Sequence, residues 1–261
     1  MAWMNVADGS TSPEVQWHTE AAAFSTPPGS TVELVSVLKI PAGWYVYWTD
    51  PGASGAPTSF EFASPTPGVT FGQPRFQRPQ VFSTKLGRVY GYEKQLVVAV
   101  QAYVPDTASL GSTIKIDVLG DWLLCREACF IGGVAQSITI QVGQDDAPTN
   151  AARLLHLIPQ AITSRPETQV HWDQRTGTLS MTGPASTKGP PRVLIDRVPG
   201  VEVGQASVDL HGDRFQLSLP VQLVSADSVG QPPRVRGLLT FGPSRYDPSW
   251  SFDIACDIDD Q

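Results

Sequence analysis

Glycine and proline cut this chain into short pieces. There are 23 of each among 261 residues, and a proline inside a helix removes a backbone hydrogen bond and clashes with the turn before it. Long helices are therefore excluded over most of the sequence. Between the breaks, apolar residues alternate with polar ones. In residues 31–40, Val32, Leu34, Leu38 and Ile40 share one face, while Glu33, Val35, Val37 and Lys39 share the other. Ile114, Ile116 and Val118 likewise alternate with Lys115 and Asp117. A side-chain period of two belongs to strands. Strand signals also cover residues 15–24, with Val15 and Trp17 on one face, and residues 96–104 and 136–142. After Thr168 they resume at 169–172, 178–181, 192–196, 206–210, 214–219, 235–241 and 250–255. Many short strands separated by turns predict an all-β chain built of sandwiches.

The length suits two domains of ordinary size. Residues 143–150, GQDDAPTN, are polar and acidic and read as the joint. A short helix is predicted directly after it, over 151–158, with Asn150 as N-cap, Pro159 as stop and Leu154, Leu155 and Ile158 as its apolar stripe. The expected organisation is a disordered lead over 1–14, a first β-sandwich over 15–145 and a second over 146–261. Hydrophobic residues make up 41% of the chain, enough for two cores. The net charge of -7 makes nucleic acid and anionic membrane surfaces poor partners. No apolar run approaches the roughly 18 residues that mark a membrane span. The first residues, MAWMNVADGSTSPEV, have neither a basic region nor an apolar core, so they are not an intact signal peptide.

Chemistry concentrates in LGDWLLCREACFIGG, residues 119–133. Cys125 and Cys129 stand there with three residues between them, flanked by the aromatics Trp122 and Phe130. A redox-active disulfide is one reading. A structural staple is another, although in the chain-entropy model so short a loop is worth only about 2 kcal/mol against ~4.7 for a loop of 100 residues. Zinc wants four ligands, and the sequence holds neither a second cysteine pair nor a closely spaced histidine pair. Two inert thiols complete the alternatives. The histidines, His18, His156, His171 and His211, are scattered, and the acidic tail Asp257–Asp260 lacks the glycine and distal glutamate of a calcium loop. No cofactor is expected. Cys256 shares the parity of Trp250, Phe252 and Ile254 and is expected in the core. Tyr45 and Tyr47 lie opposite the face of Trp44, Val46 and Trp48, where they could line a site. Residues 87–92 read as a glycine- and tyrosine-rich loop, with Gly87 and Gly91 as hinge points for a cover over the cysteines.

GWYVYWTDPGASGAPT from Gly43, VYGYE from Val89 and WLLCREAC from Trp122 occur in that order. Together they resemble the N-terminal domain of the DsbD family of thiol:disulfide interchange proteins, and the three-residue spacing is most similar to the ScsB, or suppressor of copper sensitivity, type. The resemblance covers residues 15–142. The part that follows is similar to the second β domain of those N-terminal regions through weaker motifs. It implies immunoglobulin-like sandwiches and extracytoplasmic, periplasmic work as a protein-disulfide reductase component. A thioredoxin-like domain would be the electron donor, disulfide-containing proteins the acceptors and a membrane electron-transfer protein a further partner. By the same resemblance Cys125 and Cys129 are the redox pair, with Cys129 joining the mixed disulfide. Tyr45 and Tyr47 stand beside the pair, and Val89, Tyr90 and Tyr92 belong to the cap, with Trp122 and Phe130 also lining it. Val89 occupies the capping position that is aromatic in well-known members. Two other functions follow from the same residues: an immunoglobulin-like binding module with a structural bridge, and a Cu(I)-binding copper-tolerance module on two soft thiolates.

Overall fold

The computed structural model describes residues 13–196, 200–224 and 233–256. Most of the expected lead and the acidic tail lie outside the described residues. The chain is all-β, built of immunoglobulin-like sandwiches, and it divides into two compact units. Residues 1–74 and 81–155 make the first, and residues 75–80 and 156–261 the second.

In the first unit, one sheet has the order Gln16–Ala21, Thr31–Lys39, Gln95–Tyr103, Thr70–Phe71. The other runs Ser25–Thr26, Cys129–Val142, Thr113–Cys125, Tyr45–Gly52, Gly87–Glu93, Gln80–Thr84, and Ser59–Ala63 also pairs with Thr113–Cys125. Alternation decides what lies between the sheets. Val32, Leu34, Val100 and Ala102 from the first sheet meet Ile114, Ile116, Val118 and Ile140 from the second in one buried cluster.

The second unit repeats the plan. Gln160–Ala161, Ser249–Ala255, Arg234–Phe241 and Pro191–Ile195 form one sheet. Gln169–Asp173, Thr178–Pro184, Arg214–Leu223 and Val201–Val203 form the other, with Ser207–His211 also pairing onto Arg214–Leu223. Leu179, Met181, Leu217 and Leu219 pack against Val235, Leu239, Phe241 and Phe252. The Arg165 guanidinium lies over the rings of Phe215, Phe241 and Trp250, 4.7 to 5.5 Å from their centroids. It donates to Thr168 Oγ1 and the Pro184 carbonyl, so this cation is held by ring faces and neutral acceptors. Cys256 is fully buried in the same core.

Three local features differ from the sequence reading. Residues 143–150 are bound along the first unit. The amides of Phe24 and Ser25 donate to the carbonyls of Ala147 and Asp145, and Thr149 Oγ1 donates to the Ala21 carbonyl. A polar composition signals exposure, and these contacts run through backbone groups that composition does not report. The helix is present, but as a 3-10 helix over Ala151–Leu157. Its start is held by Thr149 Oγ1, which accepts from the Ala151 amide, whereas Asn150 contributes its carbonyl to the Arg153 amide. Gly87–Glu93 is a strand rather than a loop, with Gly91 opposite Tyr47 and Tyr92 opposite Val46. A Cβ at Gly91 would collide with the Val46 carbonyl oxygen, so glycine here permits close strand pairing and is not a hinge.

Leu217 is 0% exposed at the centre of the second core. Leu217→Ala is expected to lower stability by about 2–5 kcal/mol. Urea unfolding followed by tryptophan fluorescence would measure it.

Candidate functional site

The site grows from a long hairpin. Thr113–Cys125 and Cys129–Val142 pair residue for residue, from Thr113 opposite Gln141 to Cys125 opposite Cys129. Arg126, Glu127 and Ala128 form the turn, which the Arg126 amide closes by donating to the Ala128 carbonyl. The two cysteines are joined in a disulfide with their Cα atoms 4.2 Å apart.

Parity sets the environment of each sulfur. Ile114, Ile116, Val118, Trp122 and Leu124 point inward and are buried. Cys125 has the opposite parity and points to the outer face of the sheet. It is nevertheless 0% exposed, because Tyr47 and Val89 pack on it with Tyr45, Phe82 and Leu123 around them. Cys129, at the end of the partner strand, is exposed. One cysteine therefore lies beneath an apolar cover while its bonded partner is exposed.

The cover is a second, smaller structure at the other edge of the sheet. Gln80–Thr84 and Gly87–Glu93 are neighbouring strands, and the turn between them is tied by Thr84, whose Oγ1 accepts from the Leu86 amide and donates to the Gly87 carbonyl. Phe82 brings its ring to 5.6 Å from that of Tyr45, and Tyr45 meets Tyr47 edge to face at 5.3 Å. The two tyrosine hydroxyls are 3.3 Å apart. Burial first, then this hydrogen bond, pushes the Tyr45 phenol from 10.0 up to about 12.

Of the residues singled out in the sequence, Tyr45, Tyr47 and Val89 gather at Cys125. Trp122 does not line the site. It stacks on Trp17 at 6.3 Å, inside the sandwich, and its indole fills the space where a Cβ on Gly132 would stand. Its parity with Ile116 and Val118 carries that information in the sequence. Tyr90 meets Trp48 edge to face at 6.4 Å, and Tyr92 is fully buried, so neither covers the sulfur. Phe130 flanks the exposed cysteine, 5.7 Å from Trp44. The same Trp44 ring takes the Arg126 guanidinium at 5.0 Å, so that cation rests on an aromatic face. Phe82 went unrecognised in the sequence. Its signal is weak, a lone aromatic two residues before a Thr-Lys-Leu-Gly turn.

Residues 13–138 match the family model described as thiol:disulfide interchange protein DsbD, N-terminal. That segment belongs to the DsbD N-terminal family. The family match spans the bridge, the cover and all but the last four residues of the hairpin. No curated protein matches the chain. Among solved structures, the N-terminal periplasmic domain of ScsB from Proteus mirabilis is similar in fold over 92% of both chains, with a TM-score of 0.54 and 14% identity. The yeast GGA1 GAE domain overlaps 51% of this chain and 96% of its own, with a TM-score of 0.30 and 10% identity. The two-sulfur arrangement of this DsbD-family segment suits thiol–disulfide interchange, since an accessible sulfur can be attacked while its buried partner leaves.

Two outcomes follow from the cover. The folded protein holds the Tyr45 proton more tightly than the unfolded chain does. Stability is therefore expected to fall as pH rises from 10.0 towards about 12. Tyr45→Phe should remove that slope in chemical denaturation at several pH values. Removing the Phe82 ring opens one side of the cover, and Phe82→Ala is expected to speed reduction of the bridge by dithiothreitol about tenfold, by admitting water to Cys125 and so making it a better leaving group when Cys129 is attacked. Stopped-flow fluorescence of the nearby tryptophans would read it.

Proposed function

We propose that this chain is an extracytoplasmic electron carrier, with Cys125 and Cys129 exchanging disulfides between a thioredoxin-like donor and disulfide-bearing protein substrates. The observation that carries the reading is the unequal exposure of the two bridged cysteines. A donor thiolate attacks Cys129 Sγ, the Cys125–Cys129 bond breaks, and Cys125 leaves with the electron pair. Its apolar surroundings disfavour a thiolate, so Cys125 takes a proton as it leaves. The donor's second thiolate then attacks the mixed disulfide and frees Cys129. The donor dithiol is oxidised to a disulfide and this pair is reduced to two thiols. In the second half-reaction a thiolate of the reduced pair attacks a substrate disulfide, and the pair closes again as the substrate leaves with two thiols.

The cover explains how such a pair would discriminate. A small oxidant meets only Cys129, and Cys125 is reached when a docked partner displaces Tyr47, Val89 or Phe82. A membrane electron-transfer protein would supply the donor. The periplasmic origin of the ScsB domain with the same fold supports the compartment.

Single substitutions test the assignment against a thioredoxin-like domain lacking its resolving cysteine. Cys125→Ala, with Cys129 activated as a mixed disulfide, is expected to trap the donor. Cys129→Ala should trap at least about tenfold less, because its remaining sulfur is covered. Equal trapping would refute the roles. No trapping by either variant, with a wild-type bridge inert to the donor, would favour a binding module with a structural bridge. A Cu(I) site predicts instead that the reduced wild type binds Cu(I) and each single variant loses it.

A further inference from the structure

The strand that carries the exposed sulfur has an open side. Thr113–Cys125 pairs along its whole length with one side of Cys129–Val142. On the other side, Ser25–Thr26 takes up only Gln141 and Val142. Among the described residues, 129–140 form no further backbone ladder. Long edge strands usually carry charges, prolines or bulges that stop other chains from pairing with them. This one, CFIGGVAQSITIQV, has no charged residue and no proline, and its register runs without a shift. Its outer face is apolar near the bridge and turns polar at Ser137 and Thr139. Ile131 is 80% exposed two residues from Cys129, Ala135 follows on the same face, and Leu119 opposite Ala135 is 49% exposed.

The chemistry of the bridge points to the same edge. A thiolate attacking a disulfide approaches roughly in line with the bond that breaks. Cys125, the leaving sulfur, sits on the neighbouring strand, directly opposite Cys129. The incoming sulfur therefore arrives from the side away from Thr113–Cys125, across the open edge of 129–140. A partner whose cysteine reaches that position brings its own backbone alongside an unpaired strand.

We infer that residues 129–140 receive an extended segment of the thiol partner as an added strand, with the partner's cysteine opposite Cys129 and an apolar side chain of the partner against Ile131. This inference rests on the interchange reading above and adds the docking mode. Backbone hydrogen bonds supply sequence-tolerant affinity in such strand addition, and alternate side chains supply preference. It explains how one carrier serves several partners that share an extended cysteine segment. It also separates the two contacts a partner makes, strand addition at Cys129 and displacement of the cover at Cys125.

The probe is a blocked peptide of alternating valine and threonine around one cysteine. Its control has the same side chains with N-methylated backbone amides, which keeps the thiol and removes the strand hydrogen bonds. Opening of the wild-type bridge is followed with each peptide and with 2-mercaptoethanol. The extended peptide is expected to react about tenfold faster than the control, as a handful of added backbone hydrogen bonds would produce. Its mixed disulfide with Cys125→Ala should protect amides within 129–140 from hydrogen exchange. Ile131→Gln should slow the extended peptide and leave 2-mercaptoethanol unchanged. Equal rates for the two peptides, with 2-mercaptoethanol active, overturn the docking mode and leave interchange standing. A native bridge that no thiol opens strikes interchange itself. Protection over 129–140 in the protein alone that disappears on dilution assigns the edge to a second copy, and overturns the inference too.

Discussion

The register of the long hairpin governs the first unit. Because side chains alternate along a strand, sliding Cys129–Val142 by one residue against Thr113–Cys125 would turn a whole row of side chains to the wrong face. The row Ile114, Ile116 and Val118 holds the register by filling the core. The pairing then runs on without interruption until the two cysteines face each other across the last position. Core packing at one end of the hairpin thus places the chemistry at the other. The same alternation that buries Ile116 and Val118 directs Cys125 outward, where a separate cover has to hide it.

That cover was only partly legible in the sequence. Cys125 and Cys129, Tyr45, Tyr47 and Val89 were visible as motifs, and the structure brings them together. Phe82 was not, because its contact with Tyr45 depends on how Gln80–Thr84 pairs across a sheet whose register shifts between Tyr47 and Gly52. A register irregularity erases the counting rule that locates a strand's faces. Trp122 is the opposite case. Its place beside Trp17 follows from plain alternation with Ile116 and Val118, but proximity in sequence to Cys125 drew it towards the site.

The fold itself was more legible than the site. In the second unit the apolar alternation located strands such as Gln169–Asp173, Ser207–His211 and Arg234–Phe241 to within a residue or so at most ends. These strands are defined by their own side chains. Val201–Val203 and Gln160–Ala161 escaped notice, since two or three residues hold no period and are strands only by virtue of Leu223, Trp250 and their neighbours. The Gly87–Glu93 strand was hidden for a related reason: its glycine at Gly91 reads as a loop residue until the Val46 carbonyl beside it is known.

The turn between the cysteines bears on the proposed electron-carrier role. Arg126, Glu127 and Ala128 are bounded by a hairpin whose strands are paired up to the bridge, and Arg126 is already settled on Trp44. Breaking the sulfur–sulfur bond releases almost nothing that the ladder does not still hold. Such a molecule undergoes little reorganisation between its oxidised and reduced forms. In the proposed exchange, the pace of turnover would fall to encounter and uncovering by a partner, and away from any refolding of the chain.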